Sequence, residues 1–565
     1  MRLGFAVLLF GVLTLASEPS ASKLAATQSN VAQTPPQFVA RVTLADSSQV
    51  RRFVTLGLDL LELRSGDDLF FLTNEAQFAW LQASGWRVAR DETQTSLLPN
   101  TAPETFLGGY RTVAETRALL TQLAAQHPNL AEFFIYGQSW EKQTSTGANP
   151  PRGHDLFGLK LTNKSKAGPK PTFLLTAAIH ARELATTEIA LRLADYLLSH
   201  YGLDGDVTWL LDEHLIVIVP VLNPDGRLIA EQGYYQRKNT NTSYGTACDM
   251  PATIANQIGV DLNRNFPFRW GSVNTASEPF CGQTFPGSQA ASEPETQGWQ
   301  QLVRSLFADQ RGPNDTDAAR ADASGISVTL HSYGNLVLWP WGWTTAAPPN
   351  GTELELIGKR LAAYNGYTPQ QAIHLYPTSG TTDDWSYGEL GIASFTFEVG
   401  LSFGRCGGFF PPFDCLDADA DGSFWARNLP ALLYAARIAR APYQLANGPA
   451  IQNLTATLTA TGDVELRAIC DETANGNQPI RAAELYLDVP PWRGGQSLVL
   501  QATDGAFDQP VETAAAKISA NYARSLFLVR AQDALGNWGP VKAVYLSRAL
   551  PSPRPRPNRP SRAAR

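Results

Sequence analysis

The sequence predicts an α/β protein whose main domain is preceded by a small α+β unit and followed by an all-β unit. Three observations carry that expectation. From Pro171 to about Asn428, apolar strand-like runs alternate with longer stretches of helical spacing, which is the rhythm of a sheet flanked by helices. Near the N-terminus, Phe38 to Leu44 and Arg52 to Leu63 alternate apolar and polar residues and open a short unit that continues into one helical stretch. Beyond Asn447 the chain breaks into short Thr- and Val-rich runs separated by turns of Gly, Asp and Asn. The central sheet is expected to be mixed and mostly parallel.

Composition narrows the class. The chain has 565 residues, 44% of them hydrophobic and 17% charged, within the globular range. Its net charge is -7 and its Lys and Arg residues are scattered, so no nucleic-acid partner is expected. Met1-Arg2, the apolar run Leu3 to Ala16 and the small residues Ser20, Ala21 and Ser22 follow the order of a secretory signal peptide, assigned to 1–22. No other run reaches the roughly 18 apolar residues of a membrane span. The mature chain is therefore expected outside the cytoplasm, extracellular or periplasmic, where disulfides are permitted. Of the five cysteines, Cys406 and Cys415 are close enough in sequence to close a small loop, and Cys470 would be left over.

The elements follow in order. Residues 26–90 form the α+β unit, with helical spacing in Asn74 to Ser84 and a strand at Trp86-Arg87-Val88. The polar stretch 91–103 reads as a linker. The main domain takes 104–445, opening with the helix Thr112 to His127 and closing with the Ala- and Leu-rich helix Ala426 to Arg440, stopped by Pro442. Residues 450–548 read as a β-sandwich with strands at Thr455–Thr461, Val464–Cys470, Ala482–Val489, Leu498–Gln501 and Ser525–Ala531. The Pro- and Arg-rich 549–565 cannot build a core and is expected to be a disordered tail.

The main domain carries the chemistry. In Thr172-Phe-Leu-Leu-Thr-Ala-Ala-Ile-His180-Ala-Arg182-Glu183, a buried-type strand runs into a His-x-x-Glu turn before a helix. An imidazole and a carboxylate three residues apart can face one metal ion, and two His with one Glu is a common catalytic zinc set. Ser327-Val-Thr-Leu-His331 offers the second imidazole at another strand end. In Ser394-Phe-Thr-Phe-Glu398 a carboxylate sits inside an apolar strand, where burial raises its pKa toward that of a general base. Arg237 and Arg264 lie in polar segments suited to binding a carboxylate by two donors.

Several ordered motifs resemble the zinc metallocarboxypeptidase family of pancreatic carboxypeptidases A and B and their bacterial relatives. They are His180-Ala-Arg182-Glu183, Asn223-Pro-Asp-Gly226, Arg237-Lys-Asn239, Asp261-Leu-Asn263-Arg264-Asn265, Ser292-Glu-Pro-Glu295, His331-Ser-Tyr333, Asp384-Trp-Ser-Tyr387 and Phe395-Thr-Phe-Glu398. The resemblance spans Phe106 to Tyr443. It implies one zinc ion on His180, Glu183 and His331, with Glu398 activating the attacking water and Arg237 stabilising the oxyanion. It implies that Asn263 and Arg264 grip the substrate's free α-carboxylate, that Tyr376 closes over it and that Arg182 is an auxiliary substrate contact. The substrate would be the C-terminus of a peptide or protein.

Asp383 falls where members preferring Lys or Arg carry an acid, which favours a cationic side chain in the pocket, although Thr381 and Thr382 depart from the Gly-Ser pair of that type. Two insertions, Asn241 to Ile258 and Gln310 to Ser324, are expected to be surface loops at the cleft rim. The resemblance also implies a Cys248–Cys281 disulfide and a pro-region, hence a zymogen, at 26–90. Asp417, Asp419 and Asp421-Gly422 imitate the start of a calcium loop, but the twelfth position is Asn428 in place of Glu, so a solvated acidic turn is expected. A zinc amidase, a cell-wall peptide hydrolase or a non-catalytic peptide-binding relative would share the scaffold. Asn263, Arg264 and Tyr376 favour a C-terminal carboxylate, and the complete set of ligands and base favours turnover.

Overall fold

The computed structural model describes residues 37–546, except 45, 97–107, 149–151, 251, 418–422, 520 and 522–524. The expected signal segment, most of the linker, the tail, and Asp419, Asp421 and Gly422 lie outside the described residues. Among those described, no helix is long and apolar enough to cross a membrane.

The first unit is a four-stranded antiparallel sheet of β1 (Gln37–Thr43), β2 (Asp59–Ser65), β3 (Asp68–Asn74) and β4 (Val88–Arg90), in the order β2-β3-β1-β4. Arg52 to Leu63 is not one strand. A helix, Ser47–Val54, occupies its first part because Asp46 caps the first turn through its carboxylate, and Val50, Phe53 and Val54 then face the core. The start of the linker is ordered as well: Glu92–Ser96 forms a short helix, with Val39 N–H donating to Thr95 Oγ1 at 3.0 Å.

The main domain is built on eight strands, β5 (Ala131–Gln138), β6 (Asp155–Leu161), β7 (Thr172–Ala177), β8 (Leu215–Val219), β9 (Ile326–His331), β10 (Leu336–Trp339), β11 (Thr368–Gln371) and β12 (Ala393–Glu398). Their order is β11-β10-β12-β9-β7-β8-β6-β5. The inner run β12-β9-β7-β8 is parallel, while β5, β6 and the β10–β12 pair are antiparallel, so the sheet is mixed. Strand alternation divides the core in two. Phe173, Leu175 and Ala177 of β7 pack with the helix Leu184–His200 on one face, and Leu174 packs with Trp299, Leu302 and Trp385 on the other. Both faces of β7 are thus covered, which explains its unbroken apolar run.

The expected surface insertions are partly interior. Within 241–258, Gln257 is buried and accepts the N–H groups of Arg237 and Lys238 at 2.7 and 3.1 Å. Within 310–324, Arg311, Ala319 and Ala323 are buried. Disulfides join Cys248 to Cys281 and Cys406 to Cys415, and Cys470 is a buried free thiol.

The C-terminal unit is two four-stranded sheets around one core of residues such as Leu466, Leu485, Ala514 and Val529. One sheet contains β13 (Ala450–Leu458), β14 (Val464–Asp471), β17 (Gln501–Ala502) and β18 (Val511–Ile518). The other contains β15 (Ile480–Leu487), β16 (Ser497–Val499), β19 (Phe527–Asp533) and β20 (Lys542–Val544). The expected strand Leu498–Gln501 is split, because the chain crosses between the two sheets at Leu500.

Candidate metal centre

His331 and Glu398 end parallel strands and His180 and Glu183 lie in the turn that follows a third, at the C-terminal edge where open α/β sheets form their sites. His331 ends β9 and stands in register with Glu398 at the end of β12. His180 follows β7 through a tight turn in which Ala178 takes φ 48°, a left-handed conformation that costs a non-glycine residue about 1 kcal/mol. Local bonds hold the turn: Ala178 N–H donates to Thr186 Oγ1, and Asn223 donates its side-chain amide to the carbonyls of Ile179 and Arg237. Gly226, in the helix Pro224–Ala230 that Asn223 caps, has no room for a side chain, since a Cβ there would lie 2.4 Å from the Lys238 carbonyl oxygen.

The three candidate ligand atoms converge. Those of His180, Glu183 and His331 all lie within 4.8 Å of one another, and all three residues are buried. His180 Nδ1 is 2.6 Å from Glu183 Oε1 and 3.1 Å from His331 Nδ1, while His331 Nδ1 is 3.3 Å from Glu183 Oε2. Two ring nitrogens facing each other beside a carboxylate oxygen, Glu183 Oε2, with no hydrogen-bond partner among the described residues make a donor set that suits a zinc ion. Asp261 orients it from behind. Its Oδ1 lies 3.3 Å from His180 Nε2, so the proton on that nitrogen leaves the Nδ1 lone pair facing the site, and its Oδ2 accepts Arg237 Nε at 3.0 Å. Burial alone would raise the Asp261 pKa, but Arg237 and His180 hold it well below the usual carboxylate range.

Around this set lies a cavity of about 50 Å³, lined among others by Arg237, Asn263, Arg264, Tyr376, Asp383 and Glu398. Glu398 Oε2 has no hydrogen-bond partner among the described residues, and burial, then Glu62 and Glu183, push its carboxyl well above its ordinary value. Arg264 bonds the Asn263 carbonyl at 2.8 Å, and Asn263 Oδ1 accepts Thr382 N–H at 3.0 Å. Asp383 lines the cavity wall, and its neighbour Asp384 turns away to accept Gly342 N–H. Asp417, from the suspected calcium loop, pairs with Arg192.

Arg182 is not among the lining residues. It is fully buried, held by Asp59 of β2 at 2.6 and 2.9 Å and stacked 3.8 Å from the Phe409 ring centre. A second residue of β2, Glu62, reaches the cavity itself and accepts the Tyr376 hydroxyl at 3.2 Å. Burial pushes Glu62 up to about 8 against the pull of Arg237. Apolar contacts continue the seal: Leu336, Leu375 and Tyr376 share a cluster with Phe53 and Phe71, and Tyr333 and Phe409 share another with Leu61 and Phe70. The sequence reading missed Asp59 and Glu62. Their signal was two acids spaced through the apolar run Asp59-Leu-Leu-Glu62-Leu, the same anomaly that singles out Glu398.

A family model described as zinc carboxypeptidase matches residues 116–424, more than half of the chain. The chain is 28% identical to a protein named zinc carboxypeptidase from Saccharothrix mutabilis subsp. capreolus, over 66% of this chain and 83% of that one. It is 30% identical to mouse carboxypeptidase A2, over 52% of this chain and 63% of that one, just under two thirds of the relative's length. A solved carboxypeptidase A from Helicoverpa armigera shares the fold at a TM-score of 0.55 and 23% identity, covering 72% of this chain and 98% of that structure. With its ligand set, its central sheet and these matches, the chain belongs to the zinc carboxypeptidase family.

Proposed function

We propose that the protein is a secreted zinc exopeptidase that hydrolyses the last peptide bond of peptides and proteins, with a preference for C-terminal Lys or Arg. The observation that carries this reading is one cavity lined by His180 and His331 of the buried His, Glu, His set, by Glu398, whose Oε2 has no hydrogen-bond partner among the described residues, and by the guanidinium-bearing Arg264. His180, Glu183 and His331 would hold the zinc ion, which when bound supplies Lewis acidity toward a carbonyl and toward water. Glu398 takes the proton of the attacking water and returns it to the leaving amine, a task suited to a carboxyl whose pKa burial has raised. Arg237, fixed by Asp261, donates to the oxygen that gains negative charge. Arg264, positioned through Asn263, binds the α-carboxylate that only a chain end presents, and Tyr376 covers it. Asp383 faces the departing side chain and favours a cation there. The N-terminal apolar run and the two disulfides support export.

The N-terminal unit acts as an inhibitory pro-region in this reading. Asp59 holds Arg182, Glu62 holds the Tyr376 hydroxyl, and the remaining cavity of about 50 Å³ has room for a few waters and not for a peptide. The experiment compares full-length protein with protein cleaved between residues 97 and 107. Chelator-sensitive release of terminal residues after cleavage, faster from peptides ending in Arg than in Leu, supports the whole reading. Preference for Leu removes the role of Asp383, and equal activity before and after cleavage removes the inhibitory role.

A further inference from the structure

We propose that the cleft between the main domain and the C-terminal sandwich is a second binding site, which takes a small carboxylate carrying a flat apolar group. The cleft has a volume of about 560 Å³, against about 50 Å³ at the covered metal centre. Sites of this kind favour seams between domains. Trp209 and His214 form the inner wall, Arg437 and Arg440 come from the end of the helix Phe424–Ile438 and just beyond it, and Trp492 and Arg530 come from the sandwich.

Charge on the lining is unbalanced. Three arginines face one acid, Asp322, which is itself paired with Arg320 at 2.7 Å on the exposed rim. The acids that anchor the arginines stand outside the lining: Asp206 holds Arg437 at 2.6 Å, Glu484 holds Arg530 at 2.8 Å, and Glu213 lies 4.0 Å from Arg440. Nε of Arg437 and of Arg440 has no hydrogen-bond partner among the described residues, and neither has either ring nitrogen of His214. Guanidinium groups that line the cleft while their anchoring acids stand outside it favour an acceptor with negative charge inside.

The apolar half of the ligand follows from the walls. Trp209 and Trp492 lie 6.0 Å apart between ring centres, and Arg440 stacks 4.1 Å from the Trp492 centre. Indole and guanidinium faces favour a flat partner. Trp492 is held in place by its N–H bond to Glu213 at 2.8 Å, so this wall depends on the sandwich staying docked.

The test is a calorimetric titration of full-length Arg264→Ala protein with phenylacetate, so that the guanidinium of the main cleft contributes nothing. Saturable one-to-one binding is expected, with phenylacetamide at least about tenfold weaker because it lacks the charge. In the same background Arg440→Met and Trp492→Ala should each weaken binding about tenfold, and Ala441→Phe, which fills the cleft from a half-buried position, should abolish it. Circular dichroism identifies any variant that fails to fold, and the other two then decide. Absence of saturable binding, equal binding of the amide or of inorganic phosphate, or affinity unchanged in the folded variants would overturn the proposal.

Discussion

Asp59 and Arg182 form a two-point ion pair, Oδ1 to Nη2 at 2.6 Å and Oδ2 to Nη1 at 2.9 Å, with both side chains out of contact with solvent. One partner belongs to the N-terminal unit and the other to the loop that carries His180 and Glu183, two of the proposed metal ligands. Removing one member of such a pair leaves a buried charge without compensation, at about 3–5 kcal/mol. Asp59→Ala should therefore loosen the N-terminal unit and raise the peptidase activity of uncleaved protein. The rate of release from a peptide ending in Arg measures this, and a rate equal to that of the wild type would count against the unit as an inhibitor.

Glu398→Gln keeps the shape and loses the proton acceptor. The expected result is a fall in kcat of about 10²–10⁴-fold in cleaved protein, with zinc content by atomic emission unchanged because Glu398 is not one of the three ligands. Loss of the metal together with activity would assign the residue a different part.

Asp261→Asn should weaken zinc binding about 10–100-fold, because its carboxylate fixes the tautomer and orientation of His180. Competition with a metal-sensitive dye reads the affinity directly. The same variant should also lower kcat, since Arg237 loses its charged anchor.

Asp383→Ala should reverse the side-chain preference. The ratio of kcat/KM for Arg-ended over Leu-ended peptides is expected to fall by about 10²-fold, the scale of losing one buried charge partner. A ratio that does not move would place the selectivity elsewhere.

Asp225 gives a prediction for stability against pH. Burial pushes its carboxyl from 3.8 up to about 6, so the folded state binds more protons than the unfolded state between those values. The stabilisation is complete below about pH 4 and is lost as pH rises through 6, by at most about 3 kcal/mol. Asp225→Asn keeps an acceptor for Glu141 N–H, bonded at 2.9 Å in the native protein, and removes the charge. Denaturant melts should show the variant gaining on the wild type at pH 7–8 and matching it near pH 4.

How much was legible in the sequence depends on where the information lies. His180, Glu183, His331 and Glu398 could be singled out because His331 and Glu398 are polar groups ending apolar strands and His180 and Glu183 follow one in a short turn, and the parallel register of β9 with β12 then brings His331 beside Glu398. The contact that Arg182 makes in the folded chain could not be read. Its partner is 123 residues away, and no local pattern records a contact between domains. β5 and β6 escaped notice because they are antiparallel strands outside the alternating strand and helix rhythm, and Phe133 to Tyr136 is only partly buried. The helix Ser47–Val54 was hidden because a two-residue alternation and an amphipathic turn look alike over so short a run.

The central claim is that hydrolysis depends on a free chain end held by Arg264. The most direct measurement is the rate of release by cleaved, zinc-loaded protein from one peptide ending in Arg, with its terminus either a free carboxylate or an amide. The account predicts release from the acid and a rate lower by at least about 10²-fold for the amide, with Arg264→Ala reducing only the first. Equal rates on the two peptides would contradict it.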